Sequence, residues 1–371
     1  MDGKTKPSAK EYFYSLDDLS LSLLCTFGSW YNSSGRGKRP SPLSENTNTT
    51  SHTPVELFAL EWQVFLPPQQ MRGIYVCPLL GFLAVSLVTP VILTRILTST
   101  ELRRQTRYLL LANALLSDLL FLSVYMLSTC LNAAGVIMSE WACATLLFLM
   151  GVLYSGGILT AKAMVLDTLL AVLVPLRYLS LWPVYRTRFA IGAIWIVGMF
   201  IPAASVGSFL WYHSSGPCAL QICSLPLLLA LAVSHSKPLQ VSMLLTVTAV
   251  LLILLLVFSG YLVLCCRTRN SGVWRGERSS RARGTFLIHY LNLFLSVCPM
   301  LVLVIELLLY SNNSLLDLRV TLWVSLIVCN VLLVLPKALA PYLYGLRYRD
   351  LCGALQKTFR IRRPPTVATV M

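Results

Sequence analysis

The chain has 371 residues, 56% of them hydrophobic and only 12% charged, with a mean hydropathy of +0.70. A soluble protein carries about 25% charged residues, so these values exclude an ordinary soluble domain and point to a membrane protein with spanning-length apolar runs. The net charge of +15 does not imply nucleic acid, because the basic residues gather in the loops on one side of those runs.

Residues 1–73 read as an extracellular polar tail. Gly35 to His52 is rich in Ser, Thr, Asn and Pro, a composition that buries too little apolar surface to offset the entropy of ordering. Asn32 and Asn48 each begin an Asn-x-Ser/Thr glycosylation sequon. Leu16 to Trp30 lacks the basic flank and small-residue cleavage site of a signal peptide. The first apolar segment is therefore expected to act as an uncleaved targeting signal.

Seven apolar segments follow, at 74–97, 108–131, 141–174, 189–211, 239–266, 285–310 and 319–345. Each is long enough for a spanning helix. The predicted fold is an all-α membrane protein, a seven-transmembrane helix bundle over 74–345. Arg103, Arg104 and Arg107 follow the first segment, Arg177, Arg186 and Arg188 the third, Arg267 to Arg283 the fifth, and Arg347 to Arg363 the last. The intervening loops hold little charge, so the positive-inside rule places the N-terminus outside and the C-terminus in the cytosol. The sequon at Asn312 falls on the same predicted outer side as Asn32 and Asn48. Residues 346–371 read as a cytoplasmic tail opening with a short amphipathic helix at 347–359. Its Leu351, Leu355 and Phe359, with Leu346, are expected to face lipid. Membrane lipids are the expected partners of the basic loops. No internal repeat relates the two halves, which argues against a transporter.

Eleven cysteines occur without Cys-x-x-Cys pairs. Most sit in apolar runs as small hydrophobes, whereas Cys143, Cys218 and Cys223 lie near the outer side, where disulfides persist. His52, His213, His235 and His289 are scattered, and no nucleophile, base or metal-ligand set is present. No enzymatic activity, cofactor or metal is expected.

Three stretches carry a family signature. The third segment ends Asp167-Thr168-Leu169-Leu170-Ala171-Val172-Leu173-Val174-Pro175-Leu176-Arg177-Tyr178, the second contains Leu111-Ala112-Asn113-Ala114-Leu115-Leu116-Ser117-Asp118-Leu119, and the seventh ends Ala340-Pro341-Tyr342-Leu343-Tyr344. Over about 74–360 the chain resembles the rhodopsin-like (class A) G-protein-coupled receptors. The stretches 271–274, 280–289 and 175–180, with Tyr342 to Arg349, resemble an orphan receptor of that family and, more distantly, the fish odorant receptors of the 131 group.

The resemblance implies particular roles. Cys143 takes the place of the cysteine that bonds the second extracellular loop, with Cys223 or Cys218 as its partner. Asp118 matches the family's buried acid, Trp195 its fourth-segment tryptophan, Pro299 its sixth-segment kink, and Pro341 and Tyr344 its Asn-Pro-x-x-Tyr motif. By register, Met150, Tyr154, Met300, Val304 and Asn330 would face a ligand pocket or serve as ordinary helix packing. The family's amine receptors keep an acid at the position of Met150, so the unknown extracellular ligand is not expected to be a biogenic amine. Glu306 would touch a cationic ligand or reach interfacial water, and Lys162 has no evident partner.

The departures are as informative. Thr168 stands where the family keeps the arginine that contacts both the resting-state partner and the G protein; a threonine makes no ion pair. Asp167 would then turn to Arg177 or Arg186. Val297 and Leu293 stand at the sixth-segment tryptophan and phenylalanine positions, and Ala340 at the Asn-Pro asparagine. Many family members bind sodium between the second-segment acid and polar groups at the positions of Gly157, Pro336, Lys337 and Ala340. Lys337 is expected either to pair with Asp118, replacing that ion with a fixed cation, or to snorkel or lie neutral. The implied function is an orphan receptor that signals to a heterotrimeric G protein or arrestin through an atypical relay. The alternatives are a non-signalling seven-helix partner or scavenger, an odorant-type chemosensory receptor, and an ion path through Asp118, Lys162 and Lys337.

Overall fold

A computed structural model describes residues 75–134, 136, 138–173, 178, 183–212, 219–220, 223, 277–312 and 331–358, together with parts of 244–266. The tail with Asn32 and Asn48, Arg177, Cys218, residues 319–330 including Asn330, and the chain from 359 lie outside the described residues.

The elements are helices α1 (Val76–Thr98), α2 (Thr100–Arg103) and α3 (Thr106–Ala133), strand β1 (Met138–Ser139), helices α4 (Glu140–Leu173) and α5 (Val184–Tyr212), strand β2 (Ala219–Leu220), and helices α6 (Glu277–Asn312), α7 (Leu335–Arg347) and α8 (Arg349–Thr358). Four of these, α1, α3, α4 and α5, are long and apolar enough to cross a membrane. They match the first four expected segments to within a few residues. A shorter apolar stretch, Phe286–Val302, lies within α6. Many outward leucines are exposed, among them Leu80, Leu87 and Leu127, as helices facing lipid require.

α1 leans on α3, α3 on α4, α4 on α5 and α6, and α7 returns to α1. Without a hydrophobic drive between helices in lipid, close approach depends on small residues. Gly156 on α4 lies under the Trp195 ring of α5, where a Cβ would come within 3.2 Å of the indole, and a Cβ on Gly198 would come within 3.4 Å of the Gly156 nitrogen. Three apolar clusters fill the interior. One lies at the β1–β2 end around Met150 and Leu333. A second joins α1, α3 and α7 at the α8 end. The third joins α4 and α6 to the helical stretch 254–260 through Val165, Leu293 and Leu254.

Pro90, Pro202, Pro299 and Pro341 lie inside helices. Each removes one backbone donor, a loss tolerated in spanning helices because neighbouring groups adjust. At Pro90 the Thr94 hydroxyl donates to the proline carbonyl at 2.7 Å.

Two expectations are corrected. α6 begins at Glu277 rather than 285, so 277–284, with Arg278, Arg281 and Arg283, is helical rather than loop. Its arginines are good helix formers, and Gly284 sits where the Arg347 guanidinium approaches within 3.3 Å of a would-be Cβ. Asn312 is the last residue of α6. The apolar stripe of α8 meets protein rather than lipid: Leu351 is fully buried, and Leu355 packs in the same cluster with Ile92 and Tyr344. Leu346 alone of the three described leucines stands mostly exposed. One hydrogen bond and one ring contact dock α8. The Tyr108 hydroxyl of α3 donates to Asp350 at 2.9 Å, and the Tyr108 and Tyr348 rings sit 5.4 Å apart.

Candidate functional site

The bundle interior holds one buried ion pair among the described residues. Lys337 enters from α7, one turn before Pro341, and Asp118 from α3. Their Nζ and Oδ1 are 2.6 Å apart, with side-chain exposures of 4% and 10%. The ammonium also lies 4.8 Å from the centre of the Phe121 ring and 5.4 Å from that of Tyr154. Aromatic faces stabilise a desolvated cation, so the lysine is held on one side by a carboxylate and on others by rings.

Gly157 on α4 provides the room. A Cβ there would come within 3.1 Å of Ser117 Oγ, 3.4 Å of Lys337 Nζ and 3.5 Å of Asp118 Oδ1. Ser117 gives no hydrogen to Asp118, since its hydroxyl donates to the Leu153 carbonyl at 3.1 Å. The surroundings do not fit a sodium ion. Gly157, Pro336 and Ala340 offer no side-chain oxygen, and the ammonium already neutralises the one carboxylate present.

Next to the pair, Asn113 joins three helices. It donates to the Thr160 hydroxyl at 2.8 Å and accepts from the Trp195 indole at 3.1 Å. Trp195 thus packs on Gly156 and also satisfies a buried polar group.

Toward the β1–β2 end, Met150 and Tyr154 are buried and Met300 packs against them in one cluster. The Tyr154 hydroxyl donates to the Ser296 carbonyl, tying α4 to α6. Of Val304 only the backbone is described. Cys143 is joined to Cys223, 80 residues on. Asn132 grips the Cys223 backbone from both sides, donating to its carbonyl at 2.8 Å and accepting from its N–H at 3.1 Å. Met138 and Ser139 pair with Leu220 and Ala219 as a short antiparallel ladder.

At the α8 end, the Thr168 hydroxyl donates to the Met164 carbonyl of its own helix at 2.9 Å. Asp167 accepts from the Tyr178 hydroxyl at 2.7 Å; Arg177 lies outside the described residues. Burial, and then the bond to Asp167, hold the Tyr178 phenol well above its ordinary pKa, so it remains a donor at neutral pH. Tyr344 is buried with its ring 5.2 Å from that of His289 on α6. Tyr348 lies 3.5 Å from His289 Nε2. Arg107 sits over the Tyr108 and Tyr348 rings at 5.0 and 5.9 Å. Val297 and Leu293 are buried in the third cluster as packing residues. Lys162 is half-buried, and no ion pair to it occurs among the described residues.

The sequence reading missed the link from His289 to Tyr344, the Tyr108–Asp350 bond and the role of Tyr178. The signals were a histidine amid an apolar run, an acid two residues after Tyr348, and a tyrosine just beyond the Pro-Leu pair.

No family model matches the chain. It nevertheless belongs to the G-protein-coupled receptors, as a relative 30% identical over 287 residues shows; the match covers 76% of this chain and 81% of the relative. That relative is the human protein described as probable G-protein coupled receptor 148.

Proposed function

We propose that the chain is a seven-helix receptor of the plasma membrane, with its N-terminus outside and its C-terminus in the cytosol, whose interior relay is organised around a built-in cation. The observation that carries this reading is the 2.6 Å approach of Lys337 to Asp118 in a buried, glycine-walled site. Movement of α7 against α3 must stretch or break that pair, so a ligand at the outer end has a two-state element to bias. The ligand is extracellular and unidentified; buried Met150, in place of an acid, disfavours a biogenic amine. Tyr154, which touches both the Lys337 ammonium and the Ser296 carbonyl, is the side chain through which α4 and α6 respond together. Asn32, Asn48 and Asn312 are its glycosylation sites.

At the inner face the receptor meets a heterotrimeric G protein or arrestin without the family's arginine. Tyr178 keeps Asp167 satisfied in the resting state, and the relay there runs through His289, Tyr344 and Tyr348. A non-signalling partner or scavenger is the second reading. It is favoured by the Thr168 hydroxyl having committed its hydrogen within its own helix.

Ligand-free recruitment of G proteins and arrestin to wild type and Thr168→Arg separates the two. Recruitment by the wild type above an empty-membrane baseline is the expected result. Silence of both proteins across the main G-protein classes and arrestin supports the non-signalling reading.

A further inference from the structure

A groove of about 680 Å³ runs between the last turns of α1 and the exposed side of α8. Its walls include Pro90 and Val91 on one side and the small residues Gly353 and Ala354 on the other. Its polarity changes along its length. Along α1 the lining passes from Pro90 and Val91 to Arg95, and α8 adds Lys357. At 1.5 Å of rise per residue, about 7 Å of helix separates Pro90 from Arg95, the scale of a step from acyl chain to headgroup.

The charges are specific. Arg95 and Lys357 are both exposed to solvent. The carboxylate of Asp350, which accepts from Tyr108, completes the lining. Thr94, Thr98 and Thr358 donate to carbonyls of their own helices at 2.7, 2.8 and 3.0 Å, so their hydrogens are already committed. The groove therefore presents two cations and one anion at the rim of an apolar wall.

We propose that this groove binds a phospholipid with a serine headgroup, taken from the leaflet beside α8. The phosphate and carboxylate of that headgroup meet Arg95 and Lys357, its ammonium meets Asp350, and an acyl chain lies along Val91 and Pro90. The occupant is set by charge complementarity: two negative groups and one positive group face the reverse pattern. A zwitterionic choline headgroup lacks the second anion, and a glycerol headgroup lacks the ammonium. The bound lipid would brace α8 against α1, the helix to which Tyr342 of α7 donates at the Ala84 carbonyl. The inference rests on the reading of the chain as a membrane receptor. Its test does not depend on orientation, because both leaflets of a nanodisc carry the same lipid.

Full-length protein is purified from nanodiscs of phosphatidylcholine mixed with either phosphatidylserine or phosphatidylglycerol, and retained lipid is counted by native mass spectrometry. One retained phosphatidylserine is expected, with less phosphatidylglycerol and no specific phosphatidylcholine. Arg95→Gln with Lys357→Gln should weaken phosphatidylserine retention about 30-fold, the effect of removing two basic residues at an anionic surface. Gly353→Leu fills the groove without changing charge and should displace the lipid too. Arg362→Gln with Arg363→Gln in the tail should leave retention unchanged. Equal retention in wild type and the Arg95/Lys357 variant, or an equal loss in the tail variant, overturns the site. Phosphatidylglycerol retained as well as phosphatidylserine overturns the headgroup assignment. Glycerophosphoserine without acyl chains should not be retained; its retention overturns the assignment to a lipid.

Discussion

Lys337→Met is expected to destabilise the folded receptor by about 3–5 kcal/mol, the cost of leaving one member of a buried ion pair without its partner. The variant strands the Asp118 carboxylate in a site where the nearby Ser117 hydroxyl is already committed to Leu153 and the walls are Phe121, Tyr154 and Gly157. Asp118→Asn strands the ammonium instead. That loss is expected to be smaller, because the two aromatic faces at 4.8 and 5.4 Å still stabilise the cation. The double variant carries no buried charge and should regain most of the loss, since a neutral pair of similar volume often matches a buried ion pair. Thermal unfolding in detergent together with surface expression reads all three proteins. Additive losses in the double variant would show that the two residues do not act on each other.

The second large effect is expected at the β1–β2 end. Cys143→Ser and Cys223→Ser should each cost about 2–4 kcal/mol, and the double serine variant no more than either single. The crosslink closes an 80-residue loop. α4 and α5 are already held by their spans, which limits the entropy the crosslink removes and keeps the effect below that of a free chain. The loss should spread locally, because the Cys223 backbone is the anchor that Asn132 holds from both sides and β2 lies just before it. Unfolding with and without reductant checks this. Wild type in reductant should match the serine variants, and a wild type indifferent to reductant would contradict it.

The parts of the fold legible in the sequence were those written in composition. Apolar runs of spanning length located α1, α3, α4 and α5, because a helix in lipid must be apolar around most of its surface. The meeting of Lys337 with Asp118 was legible only as one of two open outcomes, and then through family register. Charge alone tells that each residue needs a partner; it does not say which. The partner of Asp167 was not legible for a related reason. A search for opposite charge considers Arg177 and Arg186 and passes over the neutral Tyr178, which donates a hydrogen bond to this acid. The face of α8 was misread because an amphipathic stripe states that one side is apolar without stating whether lipid or protein covers it. Leu351 and Leu355 meet α1 and α7 because Tyr108 draws Asp350, and with it the helix, against the bundle. His289 was dismissed as scattered, since its stacking on Tyr344 joins residues far apart in the chain.

The departures at Thr168, Val297, Ala340 and Lys337 are thus of two physical kinds. Thr168, Val297 and Ala340 replace responsive groups with residues satisfied in place, by a bond within the helix or by packing. Lys337 places a charge beside Asp118. In the proposed function the first kind removes contacts, and the second makes the interior cation permanent.

Sodium dependence tests that permanence most directly. The unfolding midpoint of the purified receptor is measured in sodium chloride and in N-methylglucamine chloride at equal ionic strength. The account predicts the same midpoint in both, because the Lys337 ammonium already neutralises Asp118. A midpoint that rises with sodium in the wild type, and loses that rise in Asp118→Asn, would contradict it.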